Sequence, residues 1–104
     1  MSFTVVRYRP GPDRADENQD LVEKVFAELA ETRPRGLRYM TFRLDDGTFV
    51  HVADLAADVD AEANPLFESQ AFARFQEGIG ERCAGGEPPN PQPATVVGRY
   101  GFDV

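Results

Sequence analysis

Apolar and polar positions along this chain switch repeatedly between a period of two and a period near 3.6, and each switch marks an element. Phe3 to Arg9 (Phe-Thr-Val-Val-Arg-Tyr-Arg) is dense in β-branched and aromatic residues and stops at Pro10-Gly11-Pro12, which predicts a first strand. A helix follows, with Asp13 or Asp16 placed to accept from the free amides of its first turn. Leu21, Val22, Val25, Phe26 and Leu29 form its apolar stripe, Asp20, Glu23, Lys24 and Glu28 turn outward, and Pro34 with Gly36 closes it. Leu37 to Leu44 reads as a second strand and Thr48 to Leu55 as its antiparallel return, joined at Asp45-Asp46-Gly47, where glycine supplies the positive φ of the turn. Ala56 to Ala63 is an acidic, alanine-rich loop without period. Asn64-Pro65 suits the opening of a short helical turn, cap then proline. Leu66, Phe67, Ala71, Phe72, Phe75 and Ile79 mark a second amphipathic helix, expected to fray before Cys83 because Gly78 and Gly80 each cost about 1 kcal/mol relative to alanine. Ala84 to Ala94 holds four prolines in eleven residues, an extended arm that delivers the chain to a last strand, Thr95 to Phe102.

The order is β-α-β-β-α-β over residues 1–104, an α+β chain of the ferredoxin-like type: one domain, a four-stranded antiparallel sheet and two helices on one of its faces. The first and third strands carry apolar residues at both parities (Phe3, Val5 with Val6, Tyr8; Phe49, Ala53 with Val50, Val52), which fits the central positions of such a sheet. Gly98 and Gly101 weaken the last strand and fit an edge. Helices on one face leave the other face open, and its apolar side chains need a cover, which a second copy of the chain supplies. The expected assembly is a homodimer through that open sheet face.

Composition narrows the partners. The 104 residues are 41% hydrophobic with a formal charge of −7, which disfavours nucleic acid and anionic membrane surfaces, since both need a basic face. No apolar run approaches the roughly 18 residues that span a bilayer, and Met1 to Val6 is too short and uncharged for a signal peptide, the pattern of a cytoplasmic protein. A single cysteine and a single histidine exclude an intrachain disulfide and a His-rich metal site.

His51 is the one side chain that exchanges a proton near neutral pH without perturbation. If Asp45-Asp46-Gly47 is a three-residue loop, Leu44 pairs with Thr48, and His51 shares a face with Tyr39, Thr41, Arg43, Phe49 and Ala53. Met40, Phe42, Leu44, Val50 and Val52 then form an apolar face. A two-residue loop would instead place His51 among Met40, Phe42 and Leu44; the first register segregates polarity better. It gathers a base (His51), a cation (Arg43) and a phenol (Tyr39), suited to deprotonating an acidic phenol or enol and holding the anion. The plainer reading makes His51 a hydrogen-bonded strand histidine. Asn18 lies on the core-facing stripe with Val22, Val25 and Leu29, so its amide requires a partner, a ligand or a nearby backbone, loop or water group. Phe26, Phe67, Phe72 and Phe75 are core or the wall of an aromatic-binding cavity, and Tyr8 and Tyr100 have the same two readings. Cys83 reads as a small half-buried residue, and the glycines after Gly78 lack the strand, lysine and hydroxyl of a phosphate loop. Asp54 to Glu62 lacks the spacing of a calcium loop.

The topology, the Asp45-Asp46-Gly47 hairpin, and a second helix that begins near Asn64-Pro65-Leu66-Phe67 and carries Phe72-x-x-Phe75 resemble the dimeric α+β-barrel proteins, and among them the antibiotic-biosynthesis-monooxygenase-like group. The resemblance covers nearly the whole chain and implies two sheets facing each other in a dimer, a pocket between each sheet and its helices, and a cofactor-independent oxygenase acting on a small aromatic or enolisable molecule with neither metal nor flavin. It equally admits a non-catalytic dimer that binds a small ligand or serves a stress or regulatory role. Absence of tryptophan, and of histidine from Asn64 to Gln70, argues against the haem degradation that other such proteins perform. The enzyme reading requires a cavity of about 300 Å³ or more, lined by His51 and at least one of Asn18, Tyr39 and Arg43.

Overall fold

A three-residue turn sets the register of the sheet. In the computed structural model, which describes residues 2–60, 63–86 and 89–102, Asp45, Asp46 and Gly47 (φ 89°) are closed by Leu44 N–H donating to Thr48 O at 2.8 Å. The Asp46 carboxylate accepts from Thr48 N–H at 2.9 Å and stiffens the turn. The flanking strands, β2 (Leu37–Arg43) and β3 (Phe49–Leu55), therefore pair as Tyr39↔Ala53, Thr41↔His51 and Arg43↔Phe49. β1 (Ser2–Tyr8) lies on the other side of β3, with Val6 opposite His51 and Tyr8 opposite Phe49. The sheet order β2-β3-β1-β4 puts the first and third strands in the centre, as their two-sided apolar composition requires.

β4 is the short segment Gln92–Ala94, not Thr95 to Phe102 as the residue pattern predicts. Ala94 stands opposite Phe3, and no described residue after it joins the sheet: Gly98 and Gly101 pack no side chain and weaken that stretch as a strand. Val97, Tyr100 and Phe102 are left exposed. Pro93 is tolerated because β4 is an edge strand. Glu62 and arm positions 87–88 lie outside the described residues.

The helical layer packs on the face that carries Tyr8, Phe49 and His51. α1 (Ala15–Thr32) buries Ala15, Asn18, Val22 and Val25. Neither Asp13 nor Asp16 is its cap: the helix starts at Ala15, so Asp13 falls one position too early and Asp16 already lies in the first turn, and Arg14 holds the cap position without a side-chain bond. Asn64 and Pro65 open a 3₁₀ turn, Pro65–Glu68, with the Asn64 side chain accepting from Leu66 N–H. The expected single second helix is instead broken into α2 (Gln70–Gln76) and a one-turn α3 (Ile79–Arg82). Ser69, in extended backbone, ends the 3₁₀ turn and caps α2 by accepting from Phe72 N–H at 3.0 Å; Gly78, at φ 67°, separates α2 from α3. Glu28 does not face solvent as an outward position would. Its carboxylate accepts from the Ser69 hydroxyl and from the amides of Gln70 and Ala71, tying α1 to the amino end of α2. α3 is fastened in turn to the end of β1, through Gly11 N–H to Arg82 O, Ala84 N–H to Arg9 O, and a bridge between Pro10 and a buried Cys83.

The opposite face of the sheet bears no helix. Met40, Phe42 and Leu44 are exposed there and Val5, Val50 and Val52 half-exposed beside them. Among the described residues no helix is long and apolar enough to cross a membrane.

The Glu28–Ser69 junction yields a graded expectation. Ser69→Ala should lower the unfolding free energy by about 1 kcal/mol, the usual worth of an N-cap. Ser69→Asn should recover most of it, because its amide both donates and accepts. Ser69→Asp, normally a good cap, should do worse than alanine at neutral pH because it sets a second carboxylate against Glu28. Urea denaturation of the three variants checks the ranking.

Candidate functional site

Strand alternation brings Thr4, Val6 and Tyr8 of β1, Tyr39 and Thr41 of β2, and His51 and Ala53 of β3 to one side, facing the helices. Between that side and the helical layer lies a cavity of about 530 Å³. Its floor is Thr4, Val6, Tyr39, His51 and Ala53; its far wall is Leu66, Phe67, Phe72, Phe75 and Ile79; Pro89 and Pro91 of the arm form one rim. The volume exceeds the 300 Å³ requirement, and Tyr39 accompanies His51 in the lining.

His51 is held from both sides. The Tyr8 hydroxyl is 2.8 Å from Nε2, and on the other side the Tyr39 hydroxyl is 2.5 Å and the Thr41 Oγ1 3.1 Å from Nδ1. The imidazole lies against the Tyr8 ring and tilts over Phe75, ring centroids 5.3 Å apart in each case. Burial draws its pKa down from 6.5 to about 4, so the ring is neutral at pH 7. Burial also raises Tyr39 from 10 to about 12, and it raises Tyr8 further, against a smaller lowering by the Asn18 hydrogen bond. The phenols therefore stay protonated. Every ionisable group on the described cavity lining is uncharged at neutral pH.

Behind Tyr8 the polar chain continues into the core. Asn18, fully buried, donates through Nδ2 to the Tyr8 hydroxyl at 2.8 Å, and its Oδ1 accepts from Arg82 Nε at 3.3 Å. Arg82 is 3% exposed, and none of the ion pairs among the described residues includes it. Backbone carbonyls at the end of α2 take a donor from each of its two terminal nitrogens: Glu77 O at 2.8 Å and Phe75 O. Its guanidinium also lies over the Phe75 ring, 5.5 Å from the centroid.

Of the residues singled out from the sequence, the structure brings His51, Tyr39, Phe67, Phe72 and Phe75 to the cavity. Asn18 sits one hydrogen bond further back and does not line it. Phe26 stacks behind Tyr39, centroids 5.0 Å apart, and faces a separate groove with Leu29 and Leu37. Arg43 points the same way as Tyr39 but stands at the far end of β2, where it bonds Asp16 and Gln19 of α1 and covers Phe49. It contributes no cation to the cavity. Tyr8, read as core or cavity wall, lies in the core behind the lining and bonds His51; Arg82 is the member that residue patterns did not assign. Arg82 did carry a signal: with Phe75 and Ile79 it follows a 4-then-3 spacing, a charge on an apolar stripe that must find buried partners. Among the described residues no three His, Cys, Asp or Glu side chains gather into a group that would hold a metal.

No family profile matches the chain, and no curated protein matches it by sequence. Solved structures match it by shape. A Nitrosomonas europaea protein provisionally named an antibiotic biosynthesis monooxygenase superposes with a TM-score of 0.71 at 16% identity, over 92% of this chain and 89% of that one. Rv0793 of Mycobacterium tuberculosis gives 0.68 at 18%, over 94% and 96%. The L-rhamnose mutarotase FA22100 of Formosa agariphila gives 0.56 at 11%, over 96% and 99%. The chain thus has the ferredoxin-like fold of the antibiotic-biosynthesis-monooxygenase-like proteins. At such identities the likeness is one of fold, and the fold also houses a sugar mutarotase.

The neutral imidazole has a consequence for stability. Unfolding restores an ordinary pKa of 6.5, so the unfolded chain takes up a proton that the folded chain refuses until about pH 4. The His51 contribution is therefore complete above pH 7 and drains as pH falls, by about 2 kcal/mol at pH 5. Denaturation of wild type and His51→Gln at pH 7.5 and pH 5 measures it: the carboxylates titrate in both proteins, so the wild type should lose about 2 kcal/mol more than the variant. Equal losses would mean that the ring is protonated as readily in the folded chain.

Proposed function

We propose that the cavity binds a small aromatic or enolisable molecule and that the protein is a cofactor-independent, monooxygenase-like enzyme working as a homodimer. One observation carries the reading: a phenol, Tyr39, held on a neutral imidazole at the floor of an apolar cavity with phenylalanines opposite. Phe67, Phe72 and Phe75 offer ring faces to a flat ligand, and Tyr39 offers a polar contact for its oxygen. With His51 so weakly basic, the proton comes off a ligand that is itself acidic, such as a hydroquinone or an anthrone-type enol, and passes to water. The Tyr39 hydroxyl stabilises the oxygen anion that remains. That anion gives one electron to dioxygen, the two radicals combine to a peroxide anion that takes a proton back from water, and loss of water from the hydroperoxide leaves a new carbonyl. Overall, CH₂ and O₂ become C=O and H₂O, and the ligand supplies the electrons.

Two features support the dimer. The helix-free face is apolar along Met40, Phe42, Leu44, Val50 and Val52, and the chain after β4 presents Val97, Tyr100 and Phe102 to solvent. A second reading, a binding protein without catalysis, is favoured by the lack of any charged group on the described lining.

Oxygen uptake separates the two. Wild type incubated aerobically with a panel of anthrones and hydroquinones should consume dioxygen faster than buffer, and Tyr39→Phe should lower the rate by about 10²-fold, the usual cost of one oxyanion donor. His51→Ala should lower it as well, by freeing Tyr39. Binding of the panel without turnover would establish the binding protein instead. Sedimentation at micromolar concentration should show a two-chain species that Phe42→Asp dissociates; a one-chain mass for wild type would remove the dimer.

A further inference from the structure

Behind the cavity a continuous chain of hydrogen bonds runs from Arg82 through Asn18, Tyr8 and His51 to Tyr39 on the cavity floor. We infer that buried Arg82, acting through Asn18, Tyr8 and His51, fixes the Tyr39 hydroxyl as a hydrogen-bond donor into the cavity, so that the site selects molecules presenting an acceptor oxygen (a ketone, quinone or enolate) over hydrocarbons of the same shape. The selection rests on the proposed reading of the cavity as a ligand site; the polarity of the chain does not.

The direction follows from what each group is able to do. A guanidinium donates and never accepts, so the Asn18 atom facing Arg82 Nε is the carbonyl Oδ1. The amide nitrogen must then face Tyr8, and it donates to that hydroxyl. Turning the amide over would set two donors against each other in a fully buried place, at the cost of an unsatisfied polar pair. The Tyr8 oxygen is thus committed as an acceptor from Asn18, and its own hydrogen goes to His51 Nε2. Nε2 is the bare nitrogen, and the one hydrogen of the neutral ring sits on Nδ1. From there it is given to the Tyr39 oxygen and Thr41 Oγ1.

Tyr39 consequently turns a lone pair toward His51 and keeps its hydrogen for elsewhere. An acceptor oxygen entering the cavity is the partner that hydrogen meets. A hydrocarbon edge of the same shape gives that hydrogen nothing to bond. Tyr8, Asn18 and Arg82 are positioning residues: none touches the ligand, and each decides where a hydrogen lies.

The single histidine makes the chain readable without any ligand. Protein labelled with [¹⁵N]histidine gives one set of ring signals in a long-range ¹H–¹⁵N correlation. At pH 7 the wild type should show a protonated Nδ1 and a bare Nε2, and Tyr8→Phe, which removes the hydrogen that Nε2 accepts, should move the ring to a mixture of tautomers. Arg82→Gln should do the same if it folds; Tyr8→Phe keeps the ring that packs the core and tests the chain regardless. A wild-type ring protonated at Nε2, or already mixed, overturns the inference. The ligand arm compares 1-tetralone with tetralin by calorimetry. Wild type should prefer the ketone by about 10-fold, about the worth of one hydrogen bond, and the preference should vanish in Tyr39→Phe and shrink in Tyr8→Phe. Equal affinity for the two probes overturns the selection while the tautomer result stands. Binding of neither overturns the cavity as a ligand site and the selection with it.

Discussion

The closure of three residues by Leu44 and Thr48 decides which side of the sheet is which. Side chains alternate with period two, so a turn one residue shorter would set His51 on one face with Met40, Phe42 and Leu44 and part it from Tyr39 and Thr41. Gly47 and the Asp46–Thr48 bond favour the longer loop locally, and the partition of polarity favours it globally. Because both demands agree, one hairpin positions the imidazole, both of its β2 partners and the apolar strip on the reverse of the sheet.

Placing a polar chain inside so small a core has a cost that the structure meets bond by bond. A buried guanidinium without a carboxylate is unusual. Here it is satisfied by the carbonyls that α2 leaves free at its end and by an asparagine that has no other acceptor role. The break at Gly78 serves these bonds: α2 ends where Arg82 collects its carbonyls, and α3 turns back to bring Arg82 there. The short helices are thus part of how the site is held, and the Glu28 contact at the other end of α2 holds the same piece against α1.

The chemistry expected of the cavity and the shape of the chain lie on different levels. Proteins that superpose on it closely carry names as different as a monooxygenase and a mutarotase, because a sheet, two helices and the space between them fix a container and not its contents. The lining here is neutral: a chain with a formal charge of −7 keeps charge out of the described lining altogether and presents a phenol there.

The sequence by itself determined whatever depends on neighbours along the chain. The β1, β2 and β3 strands, the long first helix, the Asn64-Pro65 opening and the three-residue hairpin are set by local periodicity and turn chemistry, and with them the pairing of His51 and Tyr39 on one face. Tertiary structure decided the rest, for one physical reason: a hydrogen-bond partner 43 residues away (Tyr8 to His51) or 64 away (Asn18 to Arg82) leaves no mark on spacing. Hence Arg43, well placed by alternation, was taken up by Asp16 and Gln19; Glu28, outward by its helical angle, found the amides of α2; and Thr95 to Phe102, a strand by composition, found no partner in the sheet. Alternation tells which way a side chain points, and only the folded chain supplies what it meets there.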